Sequence, residues 1–350
     1  MKAKWAIGAS VLLAGWMAST ARADTHAPWP ADWNNWSDPA LWVTVGNAGN
    51  AADMRYNLVE RPEGYGAVSY EYNISKYEVT AGQYTAFLNA VAKTDTYGLY
   101  NTTMSRTDYG SGIARSGEGT VGDPYAYRVD ADFINRPVNY VSFWDACRFA
   151  NWLGNGQGAG STETGAYTMT SDGITNNTIT RNAGATWAVA SEDEWYKAAY
   201  YKRGSTDAGY YDYPTSSNSV PGRDMAEREA TNSGNNANYY GDPYPIDSDK
   251  YTTVVGEFEN SDSPYGTFDQ GGNVSEWNEA VISGSYRGLR GGSFGSLYGD
   301  LHATGRSVYL SPSDESYLIG VRVAVVPEPA TLSLLALGGL AVIRNRRRRR

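Results

Sequence analysis

Three stretches of the chain carry apolar residues at helical spacing, and each opens on the same polar signal. In TAGQYTAFLNAVAKT, Tyr84, Phe87, Leu88 and Val91 share one face. Thr80 stands before them with Gln83 three residues on, the spacing of a reciprocal capping box. In SFWDACRFANWLG, Ser142 and Asp145 precede Ala146, Phe149 and Leu153, and Gly154 is the expected C-cap. In SEDEWYKAAYYKRG, Ser191 and Glu194 precede Trp195, Ala198 and Ala199, and Gly204 follows two basic residues as the stop. The pattern predicts three helices.

Elsewhere the period is shorter or missing. Val68 to Val79 has the β-branched and aromatic content of a strand or hairpin. Thr164 to Ala188 alternates enough, through GAYTMT, NTITRN and ATWAVA, to predict a hairpin. Residues 95–130, 155–185 and 205–250 are rich in Gly, Asn, Ser, Thr and Asp, which predicts turns and exposed loops. Residues 24–66 hold Trp, Pro and Asn without a period and read as a lead-in segment packed on the domain edge. Beyond Tyr251 only short strands and turns are expected. No repeat is visible. The expectation is one α+β domain over 67–325, with two to three helices around short antiparallel strands.

The two ends are of another kind. Lys2 and Lys4, the apolar run WAIGASVLLAGWMA and the small-x-small site at Ala21 to Ala23 predict a secretory signal over 1–23, removed by signal peptidase. Residues 326–350 hold a Pro-Glu-Pro element, a short apolar run from Thr331 to Ile343 and a closing run of arginines. That run is short for a stable span, which needs about 20 residues, while the basic cap would keep its end cytoplasmic.

Charge narrows the partners. The whole chain has a formal net charge of −9. The leader carries three of its basic residues, and the tail six arginines and one acid. Without them, 20 basic residues face 37 acidic ones, a net of −17. Nucleic acid is therefore not expected, whereas divalent cations are. The 28 tyrosines, 11 tryptophans and 39 glycines suit a loop-rich fold pinned by aromatic anchors. A single cysteine allows no internal disulfide and no cysteine-based zinc site.

Six motifs follow in order: KYEVTAGQYTAFLNA (76–90), RPVNYVSFWDACRFANWL (136–153), ATWAVASEDEWYKAAYY (185–201), DQGGNVSEW (269–277), LRGGSF (289–294) and GVRVA (320–324). This order resembles the formylglycine-generating enzyme family, also called the sulfatase-modifying factor domain, over about residues 67–325. The resemblance implies a variant of the C-type lectin fold with little regular secondary structure. The tail resembles the PEP-CTERM sorting signal of Gram-negative bacteria. That implies export, membrane retention and removal by a sorting protease of the exosortase type.

Active members of the family oxidise a sulfatase cysteine to formylglycine with two copper-binding cysteines just after the Arg-Gly-Gly-Ser motif. Here Ser296 and Leu301 line up with those positions. Neither offers the soft thiolate that Cu(I) requires, so no copper is expected. Cys147 lies on the second predicted helix among aromatic residues and reads as a buried, inert thiol. Another branch of the superfamily binds iron through several histidines, but only His26 and His302 are present. His302 reads as structural.

The family also carries structural calcium. Its first site corresponds to Asn238, Tyr239, Asp249 and Tyr251. Its second corresponds to Asp269, the carbonyls of Gly272 and Val274, and Glu276. Calcium takes six to eight hard oxygens, and alternate carbonyls of an extended segment supply them in series. By itself DQGGNVSEW reads rather as a Gly-Gly turn with solvated acids, and it is the family resemblance that favours calcium there. Arg290, Arg306 and Arg322 could bind an anion, though bridging of loops is the commoner use of such residues. Glu192, Asp193 and Glu194 open a helix, where they complement its dipole. The Tyr-rich stretches DAGYYDYP (207–214) and NANYYGDPYP (236–245) suit either ligand contact or loop anchoring.

The sequence thus points to an exported, envelope-associated protein that binds an unknown protein or glycan and is stabilised by calcium, without oxidase chemistry. The rival is an enzyme, either a divergent oxidase of sulfatase cysteines or another activity in the same groove. The pair Ser296 and Leu301 separates the two.

Overall fold

The computed structural model describes residues 32, 34–56, 61–225, 234–247, 249–307 and 309–327. The leader, His26 and the tail from Glu328 onward lie outside the described residues.

The elements follow the chain as β1 (Trp42–Val45), β2 (Tyr72–Ser75), α1 (Ala81–Val91), β3 (Ile113–Ser116), β4 (Ala126–Val129), α2 (Phe143–Gly154), α3 (Ser171–Thr175), β5 (Trp187–Val189), α4 (Glu192–Tyr200), β6 (Ser275–Ile282), β7 (Tyr286–Arg290), α5 (Tyr298–Leu301), β8 (Ile319–Gly320) and β9 (Val323–Val325). This is an α+β chain with short strands and long irregular connections, as the sequence predicts.

All three capping boxes form. Thr80 with Gln83, Ser142 with Asp145 and Ser191 with Glu194 exchange side-chain and backbone hydrogen bonds at the starts of α1, α2 and α4. The stops differ from expectation. Gly154 is the last helical residue of α2 and Asn155 the cap. Helix α4 ends at Tyr200, because Tyr201 turns extended and bridges Tyr210. The expected 164–188 hairpin reduces to one bridge, Tyr167 with Arg181, since Thr170 caps the short helix α3 inside it. Its far end, β5, pairs with β9 instead.

The main sheet has the order β1-β2-β9-β5, antiparallel throughout. The lead-in segment therefore supplies its edge strand. Successive residues of a strand face opposite ways, and β9 shows both faces covered. Val323 joins the apolar cluster of α1 and α2, where Tyr84, Phe87, Phe149 and Trp152 pack with Trp36. Ala324 joins the cluster of α4, with Trp195, Tyr196 and Tyr200. A second sheet, β7-β6-β8, joins the β6–β7 hairpin to a short parallel pairing of β6 with β8.

Candidate functional site

Four arginines fix the loops around this second sheet. Strand β7 ends at Arg290, whose guanidinium reaches Glu192 at the start of α4 at 2.8 Å. Arg306 reaches the same carboxylate through Nε at 2.7 Å and Nη2 at 2.8 Å. Arg61 adds a third contact at 3.0 Å and also holds Asp193 at 2.7 Å. Burial alone would raise the Glu192 carboxyl; Arg290 and Arg306 reverse that and hold it below the usual range. Arg322 pairs with Glu276 inside the core. All three arginines weighed for anion binding thus bridge loops, and the acids of α4 do more than complement a dipole.

Beyond Arg290 the chain turns at Gly291 and Gly292, both at positive φ. A Cβ on Gly292 would stand 3.0 Å from Leu301 Cδ1 and 3.2 Å from Ser296 Cβ. The two residues aligned with the family's cysteines therefore flank one glycine. Leu301 is fully buried against Tyr213 and Ala237. Ser296 accepts a hydrogen bond from the Ser293 N–H at 3.0 Å and lines a cavity of about 360 Å³. A hydroxyl and a branched alkyl group do not fit a soft-metal centre.

The tyrosine loops separate into two kinds. Tyr210 and Tyr213 of 207–214 are buried, so that loop is an anchor. In 236–245 the Tyr240 N–H donates to the Ser296 carbonyl at 2.8 Å, and the exposed rings of Tyr240 and Tyr244 lie 4.7 Å apart. Leu297, Tyr298, Tyr309 and Tyr317 are also exposed. The segments around Ser296 thus present aromatic surface to solvent.

The residues expected at the two calcium sites meet through Asn273, which the sequence reading passed over. The Asn238 carbonyl accepts from the Asn273 N–H at 2.8 Å, and a Cβ on Gly272 would collide with that carbonyl. Asn238 Nδ2 donates to the Tyr251 carbonyl at 2.9 Å and to Asn273 Oδ1 at 3.3 Å. Asp249 is exposed, and the Tyr239 hydroxyl donates to the Pro221 carbonyl. Asp269, half-buried at positive φ, accepts from the Gly256 N–H at 2.5 Å. Glu276 is fully buried; Oε2 accepts from Arg322 Nε and Trp195 Nε1, and Oε1 from Arg322 Nη2 at 2.8 Å. A carboxylate oxygen has two lone pairs, so Oε1 keeps one.

Glu78 was also missed. It accepts from Asn273 Nδ2 at 3.0 Å and from the Val274 N–H at 3.2 Å. Burial, reinforced by Asp269 and Glu276, drives its carboxyl well above the usual range. Burial likewise pushes Asp269 up to about 7. The place of Glu78 in KYEVT gave no local signal, because its partners lie 195 and 196 residues away. Among the described residues no group of three or more His, Cys, Asp or Glu side chains gathers as a metal cluster.

Cys147 is buried, and burial drives its thiol well above the usual range. His302 packs edge-on against Tyr56 at 5.4 Å and Tyr213 at 5.2 Å, and its Nδ1 lies 2.9 Å from the Thr304 hydroxyl.

Comparison with known proteins gives a family. Among solved structures, the crystal structure of CarF is 22% identical, covering 82% of this chain and 98% of its own, with a TM-score of 0.49. Treponema denticola variable protein 1 is 18% identical, covering 82% and 95%, with a TM-score of 0.48. PvdO from Pseudomonas aeruginosa is 22% identical, covering 74% and 82%, with a TM-score of 0.39. Among curated proteins none matches significantly. Residues 325–349 match the PEP-CTERM protein-sorting motif, which marks export and sorting at the envelope by an exosortase-type system. Among the described residues no helix is long and apolar enough to cross a membrane. The sulfatase-modifying factor enzyme 1-like domain model matches residues 35–326. The chain belongs to that family.

Proposed function

We propose that this protein is a non-oxidase member of its family, a calcium-stabilised binding module of the cell envelope. The observation that carries the reading is the pair Ser296 and Leu301. The positions that would hold copper present a hydroxyl and a buried alkyl chain, and Ser296 lines a cavity. A scaffold with a cavity and no soft ligands beside it is suited to holding a ligand rather than oxidising one.

Calcium belongs to the same reading. Glu78, Asp269 and Glu276 bear on one another electrostatically, with Arg322 as the guanidinium among them. A hard cation at the 269–276 loop would relieve that excess. Asp269, the carbonyls of Gly272 and Val274, and Glu276 Oε1 are the oxygens that would take it. The other loop would contribute Asn238, Tyr239, Asp249 and Tyr251 in the same manner. Signal peptidase and the sorting protease are the processing partners, and a protein or glycan is the ligand.

Copper affinity tests the proposal. The protein should fail to withdraw Cu(I) from a colorimetric chelator that a cysteine-containing family member strips. Stoichiometric withdrawal would overturn the non-oxidase reading.

A further inference from the structure

The domain ends where the sorting segment begins. The family match runs to residue 326 and the sorting motif starts at 325, so the two share Val325 and Val326. Both residues are held in the fold. Val325, the last of β9, stands opposite Asn73 and Trp187, and the Val326 N–H donates to the Thr186 carbonyl at 2.8 Å. Pro327 lines a hollow at the rim of the main sheet with Thr44, Glu71 and Asn73. The domain thus passes straight into the sorting segment.

The cavity beside Ser296 lies at the other end of the same run of chain. Leu318 and Ile319 line it. From there to Val326 the chain keeps its order against residues 72–79. The Val321 carbonyl accepts from the Val79 N–H, the Val323 N–H donates to Ser75 Oγ, and Val325 faces Asn73. At about 3.3 Å per extended residue, the path from Leu318 to Val326 covers up to roughly 26 Å. The cavity and the point where the tail departs therefore sit at opposite ends of the β8–β9 segment.

Covalent geometry limits how far that rim can stand from a bilayer. From Val326 to Thr331, where the apolar run begins, an extended chain spans at most about 3.6 Å per residue, roughly 18 Å in all. The headgroup layer takes about 5–8 Å of this, leaving roughly 10 Å. A domain of residues 35–326 has a radius of gyration of about 19 Å, so such a gap admits the rim but no free rotation. No basic side chain lines the hollow around Pro327, so the tether, not attraction to anionic lipid, sets the contact. We infer that, while the sorting segment is attached, the protein rests with the rim at Thr44, Glu71 and Asn73 on the bilayer surface and holds the Ser296 cavity away from it. The inference rests on the envelope part of the proposed reading, with Thr331 to Ile343 as the part that enters the lipid.

The test is fluorescence quenching of the full chain as it stands after signal peptidase, residues 24–350, in phosphatidylethanolamine–phosphatidylglycerol vesicles that carry a nitroxide on part of their headgroups. A bimane label is placed on Thr44→Cys at the rim or on Ser307→Cys, exposed at the cavity. Cys147 is buried and does not compete for the label. The Thr44 label should lose most of its emission and the Ser307 label little. Inserting about 20 Gly and Ser residues between Pro327 and Glu328 adds about 25 Å of mean reach and should restore the Thr44 emission. Glu71→Cys, exposed in the same hollow, carries the test if Thr44→Cys does not fold. Equal quenching at rim and cavity, an unquenched rim label, or quenching that survives the insertion would each overturn the inference. Flotation of the vesicles separates the two levels of failure. A chain that floats with them yet breaks the pattern refutes the orientation alone, and one that does not float refutes the membrane anchoring with it.

Discussion

Arg322 forks across the carboxylate of Glu276, Nε to Oε2 at 2.7 Å and Nη2 to Oε1 at 2.8 Å, with both residues buried. The pair joins β6 to the segment between β8 and β9, and Arg322 also donates to the carbonyls of Ser75 and Phe268. It therefore ties both sheets to the 269–276 loop. Burial opposes the charge on Arg322, and Glu276 more than restores it.

Breaking that pair from one side should be costly. Glu276→Gln leaves a buried guanidinium with a neutral partner, a loss of about 3–5 kcal/mol for pairs of this kind. Urea unfolding of the variant should show it as a lower midpoint at unchanged slope. A loss under about 1 kcal/mol would mean that the pair is not the fastening described.

Asp145 predicts a pH dependence. Its carboxylate accepts from the Ser142 N–H at 2.9 Å and hydroxyl at 2.6 Å, and Glu315, Arg148 and the Tyr84 hydroxyl bear on it. Burial pushes it up to about 7, with Glu315 adding. The folded protein thus keeps a proton that the unfolded chain releases near 4. The resulting stability is full below about pH 4, declines as pH rises, and is lost once pH passes about 7. Asp145→Asn keeps an acceptor without the titration, so its stability should fall less than wild type between pH 5 and 8. Parallel curves would contradict the assignment.

Calcium removal should lower the melting temperature by several degrees. A ligand held only by the folded state contributes about 2.7 kcal/mol at 100 times its dissociation constant. Asp269→Asn should abolish most of the response while sparing the acceptor for the Gly256 N–H. An unchanged melting curve on chelation would remove calcium from the account.

Local features were legible in the sequence and distant ones were not. Thr80, Ser142 and Ser191 announced their helices because a capping box is complete within four residues. The 164–188 hairpin failed because alternation cannot reveal that β5 pairs with β9, some 136 residues later. Glu192 looked like a helix-opening acid, and its arginines stand 131, 98 and 114 residues away. The loss of the cysteines was readable from the aligned motif. That Ser296 and Leu301 flank Gly292 beside a cavity needed three dimensions.

The most direct measurement is incubation of the full-length protein with copper, oxygen and a cysteine-containing sulfatase peptide, followed by mass spectrometry. The account predicts that the peptide cysteine is not converted to an aldehyde. Formation of the aldehyde, dependent on the protein, would contradict it.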